Sequence, residues 1–151
     1  MTAADRYLAD FEPGMVFEFG DYLMSEEEII GFAQQYDPQP FHTERRPPAD
    51  SAHPTLIASG WHTGAATMRM MVDHFISWRT FLPSPGNEAM RFVRPVHPGD
   101  RLRVRVTVTS VRASASKPDR GIVASRLETL NQNAEVVLHI TMPFFVLRQR
   151  Q

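Results

Sequence analysis

The segment DPQPFH, residues 37–42, sets an aspartate and a histidine five positions apart, with prolines at 38 and 40 between them. Each proline fixes φ near −65°, so Asp37 and His42 are predicted to sit on an extended or turned clamp rather than a loose loop. A carboxylate and an imidazole that reach one water can add it across a double bond or remove it. One group takes a proton while the other orients the water, and the roles can alternate. A plainer reading fits the same letters: Asp37 caps a turn and His42 bonds the backbone. The second feature is Ser59-Gly60, just before the longest helical candidate. Glycine at a helix start leaves N–H groups free and lets a ligand approach. With the helix dipole, those groups stabilise an oxyanion such as the enolate of a thioester. An ordinary N-cap at Ser59 with a packing glycine behind it has the same sequence.

Other chemistries find less support. The histidines at 53, 62, 74, 97 and 139 lack the spacing of a metal-ligand set, and no metal or redox cofactor is expected. The chain has no cysteine, which removes disulfides, thiolate sites and a thiol nucleophile. Ser59 lacks the glycine frame of a serine hydrolase, and no phosphate loop or dinucleotide fingerprint occurs. A formal net charge of -1 gives no reason to expect a nucleic-acid or anionic-membrane partner.

The elements that must hold these residues can be read from periodicity. Met15, Phe17, Phe19 and Leu23 recur at mostly alternate positions after a Pro13-Gly14 turn, which predicts a strand. Ser25 and Glu28 match a capping box, and Ile29, Phe32, Ala33 and Tyr36 form one stripe of a short helix. That helix must end by Asp37, because the residue before a proline is pushed out of the α region. Residues 43–54 are a polar, proline-rich loop. The stretch 56–82 is the longest helical candidate, with Trp61, Ala65, Met68, Val72, Phe75 and Ile76 on one face and apolar residues on other faces too. Such a helix is expected to be buried by a sheet. Arg69 and Asp73, four apart on it, are expected to pair.

The remainder is β in character. Leu102, Val104, Val106 and Val108 alternate with polar residues, the pattern of a strand with one wet face. Turns are predicted at 98–100, 117–121 and 131–133, and a last strand over 136–147 should lie at an edge or carry a bulge at Pro143. The 151 residues are expected to form a single α+β domain, one long central helix wrapped by a curved antiparallel sheet, with loose ends over 1–10 and 149–151. The N-terminus has no apolar run of a secretory signal and no stretch approaches a membrane span, so the expected location is cytoplasmic.

Taken together, these residues resemble the MaoC-like dehydratases, the (R)-specific enoyl-CoA hydratase group of the hotdog fold. The family motif, approximately D-x-N-P-x-H, stands here as residues 37–42. LIASGWHTGA, RPVHPGDRLRVRVTV and LNQNAEVVL follow in the family's order. The resemblance implies that Asp37 and His42 activate the water that adds to Cβ of a trans-2-enoyl thioester, and that the Gly60 amide holds the developing enolate oxygen. It implies substrate contacts from Gln39, Pro40, Ser59 and Trp61, an acyl-CoA thioester as substrate, and a homodimer or higher homo-oligomer. Two departures stand out: Gln39 replaces the usual asparagine, and His53-Pro54-Thr55 stands where relatives carry small residues. The fold also hosts thioesterases, for which Asp73 is the one acid on the helix, and non-catalytic acyl-thioester binders.

Overall fold

The computed structural model describes residues 3–149. Six strands form one antiparallel sheet: β1 (Val16–Leu23), β2 (Phe81–Leu82), β3 (Ala89–Phe92), β4 (Arg101–Ala113), β5 (Arg120–Leu130) and β6 (Val136–Leu147). The order is β1-β4-β5-β6-β2, and β3 also pairs with β6. Among the described residues there are three α-helices: α1 (Glu26–Tyr36), α2 (Pro40–Thr43) and α3 (Gly60–His74). The sheet packs its apolar face on α3, giving the hotdog architecture that the sequence resemblance implied. No helix among the described residues is long and apolar enough to cross a membrane.

The alternation read in β4 places Leu102, Val104, Val106 and Val108 in the core. The other face of the sheet carries ion pairs, Arg101 with Asp21, Arg103 with Glu18 and Arg105 with Glu128. β6 is not a free edge: β3 covers it over residues 138–141 and β2 over 145–146. Pro143 faces the gap between these two short strands, where no ladder donor is needed, and its carbonyl accepts from the Ser84 hydroxyl at 3.0 Å. The extra residue in β6 falls instead near Val137, where the register with β5 shifts.

α3 is shorter than the 56–82 stretch suggested and turns its other side inward. Ala66, Met70 and Met71 are buried with His62, Thr63 and Thr67, while Trp61, Met68 and Val72 are exposed. Thr67 and Thr129 enter the core with their hydroxyls satisfied: Thr67 donates to the Thr63 carbonyl at 2.8 Å and lies 2.7 Å from the hydroxyl of Thr129 on β5. The helix stops at His74. Phe75 then folds back into a cluster with Phe11, Phe81 and Phe144, ring centroids 5.6–6.1 Å apart.

The N-terminal segment is tied to that cluster from Arg6 onward. Leu8–Asp10 forms a single 3-10 turn, and the Arg6 guanidinium lies 5.0 Å over Phe17 and 5.5 Å over Phe75. The expectation of a loose end over 1–10 therefore does not hold for Arg6–Asp10. Of the rest of that expectation, over 1–5 and 149–151, residues 1–2 and 150–151 lie outside the described residues.

Candidate active site

Asp37 and His42 reach the site from two helices that share one proline-punctuated joint. Ser25 caps α1 by accepting from the Glu28 amide at 3.2 Å. The reciprocal half of the expected capping box is missing, since the Glu28 carboxylate accepts the Tyr22 hydroxyl instead. α1 ends at Tyr36, one residue short of Asp37, as the following proline requires. Of the extended or turned clamp expected, the turned form is found: Pro40 opens the one-turn helix α2 at its first position, where a missing N–H costs nothing. Gln39 precedes it, and its carbonyl accepts from the amides of His42 (2.8 Å) and Thr43 (3.1 Å). His42 therefore sits on a helical turn, and its ring is buried.

The geometry fixes the tautomer of the neutral imidazole. Nδ1 of His42 lies 2.8 Å from the Ile57 carbonyl, which can only accept, so Nδ1 carries a proton and, in the neutral ring, Nε2 keeps a lone pair. Nε2 stands 3.4 Å from Oδ2 of Asp37. Two acceptors side by side cannot bond each other, but both can accept from one water. A water so placed would meet a carboxylate and an imidazole, two groups able to exchange protons with it.

Asp37 is held by two further side chains. The Gln39 amide donates to Oδ1 at 2.6 Å, and the Ser59 hydroxyl donates to Oδ2 at 2.7 Å. Burial works to raise the pKa of this carboxyl, but these two hydrogen bonds and the neighbouring His42 more than offset it. The group lies below the ordinary carboxylate value. Gln39 thus positions the carboxylate through a side chain that is itself exposed. Ser59 occupies the N-cap position of α3 without capping it, because its hydroxyl is turned to Asp37.

Gly60 begins α3, so its amide is among those with no partner inside the helix. It lines a cavity of ≈ 260 Å³ together with His42, Ala58, Thr63, Phe92 and Val96. A Cβ on Gly60 would come within 2.6 Å of the Phe92 ring, so only glycine admits that aromatic wall. Pro40 is exposed at the start of α2. Trp61 is 65% exposed on the outer side of α3 and meets the cavity wall through an edge contact with Phe92 at 6.4 Å. The structure brings Asp37, Gln39, His42, Ser59 and Gly60 together and leaves Trp61 at the rim. Sequence reasoning missed Thr63, Phe92 and Val96; the last two arrive on and just after β3, a strand too short for a periodic signal. Among the described residues, no group of three or more His, Asp and Glu side chains is placed to hold a metal ion.

Comparison with known proteins bears on the fold and the family. The family described as MaoC like domain matches residues 10–129. The crystal structure of a MaoC-like dehydratase from Rhodospirillum rubrum is 36% identical, with a TM-score of 0.88 over 97% of this chain and 99% of that one. The unliganded R-hydratase of Pseudomonas aeruginosa shares the fold at 23% identity, TM-score 0.71, over 95% of this chain and 86% of that one. An uncharacterized protein of Bacillus subtilis (strain 168), YdeM, is 27% identical over 125 residues, 83% of this chain and 87% of its own length. The chain belongs to the MaoC-like domain family and has its hotdog fold.

Proposed function

We propose that the protein is a hydro-lyase that interconverts a trans-2-enoyl thioester and its 3-hydroxyacyl counterpart. The observation that carries this reading is the pair of acceptors, Asp37 Oδ2 and His42 Nε2, 3.4 Å apart beside the cavity that Gly60 lines. Water held between them loses a proton to the pair as its oxygen bonds to Cβ of the substrate. The π electrons move toward the thioester carbonyl, whose oxygen takes up the charge at the amide of Gly60 and the positive end of α3. Return of a proton to Cα completes the addition of water, and dehydration is the same path reversed. The thioester would be an acyl-CoA, and no cofactor enters these steps. A hydratase name on a structural relative supports the same class of reaction.

Thioester hydrolysis is less well served. Asp73, the one acid of the central helix, pairs with Arg69 at 2.9 Å toward the helix's far end. A non-catalytic acyl-thioester binder would need the cavity but not the dyad. The deciding experiment follows loss of the enoyl absorbance with crotonyl-CoA and a longer trans-2-enoyl-CoA. Wild type is expected to turn over, and Asp37→Asn and His42→Ala to lose about 10²–10⁴-fold, the usual contribution of positioned acid–base groups. Thiol release, or absorbance loss indifferent to both substitutions, would overturn the assignment.

A further inference from the structure

The reaction cavity holds few polar groups, and most of them are engaged. The amides of Ile57, Ala58 and Val93 donate to the carbonyls of Phe41, Val96 and Val137 at 2.8–2.9 Å. Arg94 pairs with Glu135 at 3.1 Å, and His42 turns Nδ1 to the Ile57 carbonyl. On α3 two donors line the cavity with no partner among the described residues, the amide of Gly60 and the hydroxyl of Thr63. Thr63 is 3% exposed. Its carbonyl accepts from the Thr67 hydroxyl, but its own hydroxyl bonds nothing. Among the described residues, the side-chain polar atoms cut off from both partner and solvent belong to Ser51, His62 and Thr80. Thr63 is not one of them, so its hydroxyl opens on the cavity. A buried hydroxyl without a partner is costly, and a valine would fill nearly the same space without that cost.

Thr63 follows Gly60 by three residues, which puts the two on one face of α3, about 4.5 Å apart along the axis. Helical side chains lean back toward the N-terminus, so the Thr63 side chain covers the first turn, where the Gly60 amide is. We propose that the Thr63 hydroxyl is a second donor to the thioester oxygen, beside the Gly60 amide. This proposal rests on the thioester reading above. The hydroxyl keeps its proton throughout. Its hydrogen bond strengthens as charge moves from the enoyl π bond onto the carbonyl oxygen, and weakens again as the charge returns. A carbonyl oxygen has two lone pairs, one for each donor, so the two do not compete. Asp37 and His42 then handle the water, while Gly60 and Thr63 hold the oxygen.

The test is difference infrared spectroscopy of butanoyl-CoA, isotopically labelled at the thioester carbonyl, bound to wild type, T63V and T63S. A hydrogen bond lowers the stretching frequency of a carbonyl. Butanoyl-CoA is saturated and cannot be hydrated, so the reading does not depend on turnover. The carbonyl band should lie lower in wild type than in T63V, with T63S close to wild type. In parallel, T63V should lower kcat for crotonyl-CoA about 10²-fold, the loss of one oxyanion donor, and T63S should keep most of the activity. Affinity for butanoyl-CoA should change far less than kcat, because the bond is strongest in the transition state. A band at one frequency in wild type and T63V would overturn the proposal even if T63V were slow. So would a failure of butanoyl-CoA to bind, or a T63V variant with the kcat of an active wild type. A Thr63-dependent band without hydration of any enoyl-CoA would remove the catalytic reading and leave Thr63 as a donor to the bound thioester.

Discussion

Asp37 is the residue on which the proposed chemistry turns, and its state depends on neighbours that take no proton themselves. Gln39 holds one carboxylate oxygen and Ser59 the other, at 2.6 and 2.7 Å. These bonds keep the group ionised at a pH below the ordinary carboxylate value. An ionised Asp37 is the working form in hydration, so activity is lost as pH falls through its folded pKa. Removing a donor raises that pKa. Ser59→Ala should therefore move the acid limb of the kcat/KM profile to higher pH. It should also lower kcat about 10- to 100-fold, because the carboxylate is no longer fixed against His42. Ser59→Thr, which keeps the hydroxyl, should restore much of the loss. An acid limb unmoved in Ser59→Ala would show that the Ser59 bond does not govern the Asp37 ionisation.

Elements set the site through two close approaches that only glycine allows. At Gly60 the start of α3 meets the ring of Phe92 from β3. At Gly20 the β1 strand bulges, with φ of 90°, and an added Cβ would run into Met70 of α3. Gly20→Ala carries both left-handed strain and an overlap, and should destabilise the fold by about 1–3 kcal/mol in denaturant titration. A midpoint equal to wild type would contradict this account of the bulge. These contacts also mark the boundary of what the sequence made legible. Period-two runs identified β1, β4 and β6 and the polar face of the sheet. The Asp37/His42 pair was visible because prolines restrict its spacing. The inward side of α3 was not visible, since both sides are apolar enough to be buried. The choice was made by Thr67 finding Thr129 across the core, a contact 62 positions apart in sequence. Likewise the turn of Ser59 away from capping and toward Asp37 depends on a residue 22 positions earlier. No local pattern encodes either.

At the scale of the whole molecule, one side of α3 has the sheet, α1 lies beside its first turns, and among the described residues its outer side stays exposed. Trp61, Met68 and Val72 fall on that outer side, and Trp61 and Val72 are 65% and 51% exposed. Trp78, beyond the end of the helix, is exposed as well. A contiguous apolar face of this kind on a folded chain marks an interaction surface. A second copy of the chain is the simplest occupant, because a two-fold axis across the helix sets the same stripe against itself and closes the assembly. The stripe is narrow enough for helices to meet, since Ala65 lies between Trp61 and Met68. We therefore propose a homodimer built on α3, with sedimentation equilibrium giving twice the 17.2 kDa chain mass. Val72→Glu places a charge within that contact, where an unpaired buried charge is strongly unfavourable. It should shift the chain to monomer while leaving far-UV circular dichroism intact, because Val72 touches solvent rather than core in the single chain. A wild-type chain that sediments as a monomer would reject the dimer. A Val72→Glu variant that stays dimeric would move the contact away from α3, to an edge of the sheet at β1 or β2.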